Sequence, residues 1–181
     1  LLLFLGSGCA ALIYEIVWLQ MLELVIGASG ISLGVLLAAF MGGMCLGSSL
    51  LPRILPSHYH SLRIFALLEL GIGIIGILAL FGIPYITDIY SNLQGHGVFA
   101  RAFIASLCLI PPAILMGATL PLVSRFVEAT PEGVSWMGFF YGANLAGAVI
   151  GCFSAGFLLL RLFDIFTATY VAAGINLLVC L

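Results

Sequence analysis

Two carboxylates sit where an aqueous group is least expected. Glu15 lies within Ala10-Ala-Leu-Ile-Tyr-Glu-Ile-Val-Trp-Leu-Gln20, and Glu69 within Phe65-Ala-Leu-Leu-Glu-Leu-Gly-Ile-Gly73, runs that are otherwise almost wholly apolar. A carboxylate at the centre of a bilayer costs about 2.5–3.5 kcal/mol on insertion scales and is kept where it faces other protein or a watery cavity. Tyr14 stands beside Glu15, and Trp18 follows at i+3 on the same helical face. A carboxylate next to an aromatic face attracts an ammonium by charge and by quadrupole. Glu23 lies eight residues beyond Glu15, about 12 Å along a helix, which brings it close to an interface and excuses it. Two readings of Glu15 stand: a structural carboxyl, protonated or hydrogen-bonded to Asn144, Thr119 or Gln20, and a site for a cation or a proton. The candidate binding set is Glu15, Tyr14, Trp18, Glu69, Asn144 and Thr119, with Asn144 or Thr119 expected to meet Glu15 from another helix.

What must position these groups follows from composition. Of 181 residues, 64% are hydrophobic and 7% charged, with a mean hydropathy of +1.32, whereas soluble domains are about 45–50% apolar and about 25% charged. The expectation is an all-α integral membrane protein. A bilayer core about 30 Å thick needs about 20 apolar residues in a helix, and polar or Pro/Gly punctuation cuts the chain into six runs, near 1–26, 31–51, 62–86, 99–122, 136–160 and 165–181. They lack the period-two alternation of barrel strands. The connections are too short to fold alone, so residues 1–181 form one transmembrane helical domain. The chain starts without Met and has no cleavage motif, so its first run is expected to be a retained span and its ends the limits of a fragment.

All five cations are arginine and the net charge is -2, which offers no basic field for nucleic acid. Five cysteines are scattered with no C-x-x-C, so neither disulfides nor zinc is indicated. His58-x-His60 has no acid or cysteine nearby, and His96 belongs to the opposite side, so no metal site is expected. Gly71-Ile-Gly73-Ile-Ile-Gly76 spells a dinucleotide fingerprint, but it sits midway along a span and lacks the strand that must precede it.

The remaining glycines and prolines speak to packing. Gly43-x-x-x-Gly47 and Gly147-x-x-x-Gly151 place small residues on one helix face and read as seams between helices. Pro111-Pro112 and Pro121 remove backbone donors from span four, so that helix is expected to kink or break, lining either a substrate path or a packing joint. Gly43 and Gly47 align with Gly147 and Gly151, and Arg63-Ile-Phe aligns with Asp164-Ile-Phe, at a common offset of about 100 residues. Three spans per half make such a repeat inverted, the 3+3 pattern nested in half of a major facilitator fold. Arg53, Arg63 and Arg125 outvote Arg101 and Arg161, which puts the N-terminus in the cytoplasm.

Five ordered motifs extend over nearly the whole chain: Gly8-Cys-Ala-Ala-Leu-Ile-Tyr14-Glu15-Ile-Val-Trp18, Leu37-Ala-Ala-Phe40-Met-Gly-Gly-Met-Cys-Leu-Gly47, Glu69-Leu-Gly71, Met116-Gly-Ala-Thr-Leu-Pro121 and Tyr141-Gly-Ala-Asn144-Leu-Ala-Gly147-Ala. Together they resemble the membrane region of the bacterial fused spermidine-synthase-like proteins, multi-pass proteins with a major-facilitator-like part. The resemblance departs at Gln20, where an arginine two places after the tryptophan is expected. It implies a bacterial cytoplasmic membrane and a soluble aminopropyltransferase-like domain after the spans, with a Rossmann-like fold for decarboxylated S-adenosylmethionine and a diamine. None of that machinery lies in these 181 residues, so no catalytic residue and no cofactor is expected here. The implied function is a membrane anchor or a transporter-like bundle for a polyamine-type cation. The alternative is a structural accessory subunit of a larger membrane complex. Partners would be the lipid bilayer, a downstream soluble domain or other membrane subunits, and an organic cation.

Overall fold

An almost wholly apolar sequence must satisfy its backbone polar groups within the chain, and the described runs do so as helices. A computed structural model describes residues 1–27, 30–54, 61–91, 98–127 and 133–181, and no strand occurs among them. The helices are α1 (Leu2–Ile26), α2 (Gly30–Ile54), α3 (Ser61–Ser91), α4 (Val98–Val127), α5 (Gly133–Phe153) and α6 (Ile165–Cys180). Beyond Phe153 the α5 rod continues through a π-helical stretch, Ser154–Leu159, and a last turn, Leu160–Leu162.

Among the described residues, five segments are long and apolar enough to cross a membrane: Leu2–Leu24, Gly30–Ile54, Leu62–Ile83, Phe103–Leu122 and Trp136–Leu162. The sixth run forms the 16-residue α6, apolar but shorter than the about 20 residues a full crossing needs. Large side chains such as Leu78, Phe139 and Phe157 stand exposed around the bundle. That surface suits lipid and not water.

Helix ends are fixed by local chemistry. Gly27 closes α1 at φ 105°, a conformation open chiefly to glycine, and its N–H donates to the Glu23 carbonyl at 2.9 Å. Asp164 opens α6 as its N-cap, its Oδ1 accepting from the Thr167 N–H at 2.8 Å. Of the kink or break expected in span four, the break does not occur: α4 runs through Pro111, Pro112 and Pro121 as one helix. Within it the Thr119 hydroxyl donates to the Met116 carbonyl at 2.7 Å and the Ser124 hydroxyl to that of Pro121 at 2.8 Å, each bonding back one turn along its own helix.

The closest pairings are α2 with α4 and α1 with α5, followed by α3 with α4, α3 with α6 and α1 with α6. Glycines explain the first two. A methyl group at Gly47 would strike the Ile114 backbone, one at Gly43 would lie 2.5 Å from the Ala113 Cβ, and one at Gly117 would strike Met44. On the other side of the bundle, Gly147 is pressed on Leu5, Gly151 on Cys9, and Gly8 on Asn144. These are backbone-on-backbone seams, the role their spacing predicts. The dinucleotide-like string is also packing: a methyl at Gly71 would sit 3.2 Å from Leu115 of α4, at Gly73 3.5 Å from the Asn176 Cβ of α6, and at Gly76 2.5 Å from the Tyr14 ring of α1. Of its three glycines, Gly76 makes room for the Tyr14 ring and Gly71 is tight against Leu115, whereas a methyl at Gly73 would make only ordinary contact.

Candidate functional site

Helix α1 carries two stripes. Ala10, Ile13, Tyr14, Val17, Trp18, Met21 and Leu22 are buried in the main core. Ser7, Gly8, Ala11, Leu12 and Glu15, spaced three and four apart, form the adjoining stripe and border a cavity of about 600 Å³. Its other walls come from Phe40, Met44 and Cys45 of α2, Met116 and Thr119 of α4, and Tyr141 and Asn144 of α5, with Glu69 of α3 and Asn176 of α6 also bordering it. This size, with mostly apolar walls and a few polar groups, suits a small molecule. Among the described residues that line it there is no arginine.

Four of the six sequence-derived candidates therefore meet in one space: Glu15, Glu69, Asn144 and Thr119. The other two do not border it. Tyr14 and Trp18 are fully buried and stack on each other, ring centroids 5.3 Å apart, and Trp18 meets the edge of Phe40 at 6.4 Å. Trp18 touches the cavity lining through Phe40. The Tyr14 hydroxyl and the Trp18 Nε1 have no hydrogen-bond partner among the described residues.

The two carboxylates live differently. Glu69 is 1% exposed and accepts a hydrogen bond from the Ser7 hydroxyl at 2.5 Å, a contact between α3 and α1. It also borders a second cleft of about 290 Å³ between α3 and α6, beside Gly73, Ile74, Tyr170 and Gly174. Glu15 is half-buried, faces the cavity, and has no hydrogen-bond partner among the described residues. Neither expected neighbour donates to it: the Asn144 amide goes to the Phe4 carbonyl at 3.3 Å, tying α5 to α1, and the Thr119 hydroxyl goes to its own helix. Gln20 is half-buried and lies outside the cavity lining.

Ser7 and Asn176 were not among the sequence candidates. Asn176 is 1% exposed, and both its Nδ2 and its Oδ1 lack a partner among the described residues. It could have been found by the rule that singled out Asn144, since an amide in the run Gly174-Ile-Asn-Leu-Leu178 is as exceptional as one in span five. Ser7 gave no signal of its own, because a serine in an apolar helix ordinarily bonds back to its own carbonyls. His58, His60 and His96 lie outside the described residues, among which no cluster of three metal-ligating side chains occurs. Compared with known proteins, the chain matches no family model, no curated protein and no solved structure.

Proposed function

We propose that the chain is the membrane domain of a spermidine-synthase-like protein, a transporter-like bundle that takes an organic cation of polyamine type into the cavity between Glu15 and Glu69. The observation that carries this reading is that carboxylates from two different helices border one cavity whose lining, among the described residues, contains no cation. A single buried carboxylate has structural uses. Two facing one low-dielectric space without a counter-charge repel each other, and a ligand with two ammonium groups relieves both at once. Asn144 and Thr119 add polar wall, while the Tyr14–Trp18 stack holds Phe40 and the α1 face in place.

The fold behind this reading is an inverted 3+3 repeat, half of a major-facilitator-like architecture, with the N-terminus cytoplasmic in a bacterial inner membrane. Supporting it, Gly43 and Gly47 press on Ile110 and Ile114 as Gly147 and Gly151 press on Leu5 and Cys9. Each α4 residue lies 105 positions after its α1 counterpart, and each α5 glycine 104 after its α2 counterpart. The neighbour pattern follows the same exchange: α2 on α4 answers α5 on α1, and α3 on α4 answers α6 on α1. In repeats of this kind, rocking about such seams gives alternating access to a site near the midplane.

The test is direct binding of putrescine and spermidine to the purified protein in lipid nanodiscs. Affinity should fall at least tenfold in Glu15→Gln and in Glu69→Gln while both variants stay folded. Absence of binding to the wild type, or binding that ignores both substitutions, would leave the accessory-subunit reading in its place.

A further inference from the structure

Asn176 is the group the cavity does not explain by packing. Buried polar atoms are hydrogen-bonded in the great majority of proteins, yet both ends of this amide are without a partner among the described residues although the side chain borders the cavity. Its Cβ lies level with Gly73 of α3, one helical turn from Glu69 on the same face. Asn176, Glu69 and Ser7 thus cluster at one end of the cavity, contributed by α6, α3 and α1.

Counting donors and acceptors gives the ligand class. The Ser7 hydroxyl proton is already committed to Glu69 Oε1. At these three residues what remains open is the Ser7 oxygen lone pairs, Glu69 Oε2 and Asn176 Oδ1, all acceptors, against one donating group, the Asn176 amide nitrogen; the unpartnered Tyr14 hydroxyl does not border the cavity. A surplus of acceptors in a desolvated pocket is satisfied by a cation that donates. An ammonium with N–H bonds offers up to three donors, whereas a quaternary ammonium carries the same charge and offers none. It would leave Asn176 Oδ1 dry and unpaired, and unmade buried hydrogen bonds are the costly case.

We infer that Asn176, Glu69 and Ser7 form a subsite for an N–H-bearing ammonium, so that the cavity selects primary and secondary amines over quaternary ones. This rests on the cation-binding reading above and adds to it the residue that sets selectivity. Asn176 reads the hydrogens on nitrogen, and Glu15 and Glu69 read the charge. Sites built to hydrogen-bond a group reject analogues lacking it far more strongly than apolar pockets reject a change in size.

The experiment compares putrescine with its fully N-methylated, bis-quaternary analogue by calorimetry on the full chain in nanodiscs, for the wild type, Asn176→Leu and Glu15→Gln. The wild type should bind putrescine at least tenfold more tightly than the analogue. Asn176→Leu should reduce that preference to less than threefold, chiefly by weakening putrescine, and Glu15→Gln should weaken both cations while keeping the preference. The wild-type comparison needs no variant to fold. Equal binding of the two cations by the wild type, with both lost in Glu15→Gln, overturns the subsite and leaves the cation reading intact, as does a preference that survives Asn176→Leu. Binding of neither cation by the wild type overturns both.

Discussion

Ser7 and Glu69 are a pair whose value shows only when one partner is removed. The carboxylate is 1% exposed, and its one side-chain donor among the described residues is the Ser7 hydroxyl. Stripping the donor from a buried acceptor costs about 1–3 kcal/mol, more when the acceptor is charged, whereas removing both partners together is far milder. Ser7→Ala should therefore lower the unfolding midpoint of the protein in detergent, and the double variant Ser7→Ala/Glu69→Leu should regain most of the loss. An additive double variant would mean that the two side chains do not act as a unit. Asp164 makes the opposite case at the bundle surface. Hydrogen bonds from the Thr167 side chain and backbone hold its carboxyl below the usual range, so the charged cap stabilises α6 at all pH values above the ordinary carboxylate pKa of about 3.9. That stabilisation is lost only as pH falls through the still lower folded value. Protection of the Thr167 amide should be flat from pH 8 to pH 5 and drop in stronger acid, and in Asp164→Ala it should be low throughout. At this scale the sequence revealed charge in the wrong solvent, hence Glu15 and Glu69, because composition alone exposes it. It could not say how the face of α1 divides: Trp18 at i+3 from Glu15 shares a helical face on paper, but Trp18 stacks on its i+4 partner Tyr14 in the buried stripe, and neither ring borders the cavity.

Helix α2 contains its own control for the seam argument. Gly42 and Gly43 are adjacent, yet a methyl at Gly42 meets nothing within 4 Å, while one at Gly43 lies 2.5 Å from the Ala113 Cβ and 3.2 Å from the Ile110 carbonyl of α4. Gly42→Ala should be neutral or stabilising, since alanine is preferred over glycine in helices by up to about 1 kcal/mol. Gly43→Ala should cost about 1–3 kcal/mol as overpacking, read as a drop in the fraction folded during titration with denaturing detergent. Equal midpoints for the two would remove the seam between α2 and α4 as a determinant of the fold. The run boundaries were legible to within a few residues at most ends because hydropathy and Gly/Pro punctuation report desolvation directly. The state of the backbone inside each run was not. Three prolines in α4 argued for a kink or a break, and the helix continues through all three without a break. The π-helical stretch lies instead at Ser154–Leu159, just beyond Gly151, in a segment with no proline at all. Such a bulge is set by how the rod lies on its neighbours, which no single residue type announces.

On the scale of the whole bundle, two environments should be separable by chemistry the protein already carries. Cys45 of α2 and Cys152 of α5 are both exposed thiols, but Cys45 borders the cavity and Cys152 does not. Cys152 lies next to Phe153, which stacks on Phe157 at 5.7 Å on the outward face of α5. If that face meets acyl chains and the cavity admits water, a water-borne reagent reaches Cys45 and is kept from Cys152. A charged, membrane-impermeant maleimide applied to nanodiscs should modify Cys45 at least tenfold faster than Cys152, with Cys9 unreactive because it is buried in the core beside Gly151. Putrescine at saturating concentration should slow Cys45 and leave the residual rate at Cys152 unchanged, since only the first thiol shares a cavity with Glu15 and Glu69. Rapid labelling of Cys152 with Cys45 protected would place water on the outer face of α5 and lipid or protein in the cavity, and the bundle would then have to be turned inside out relative to the membrane.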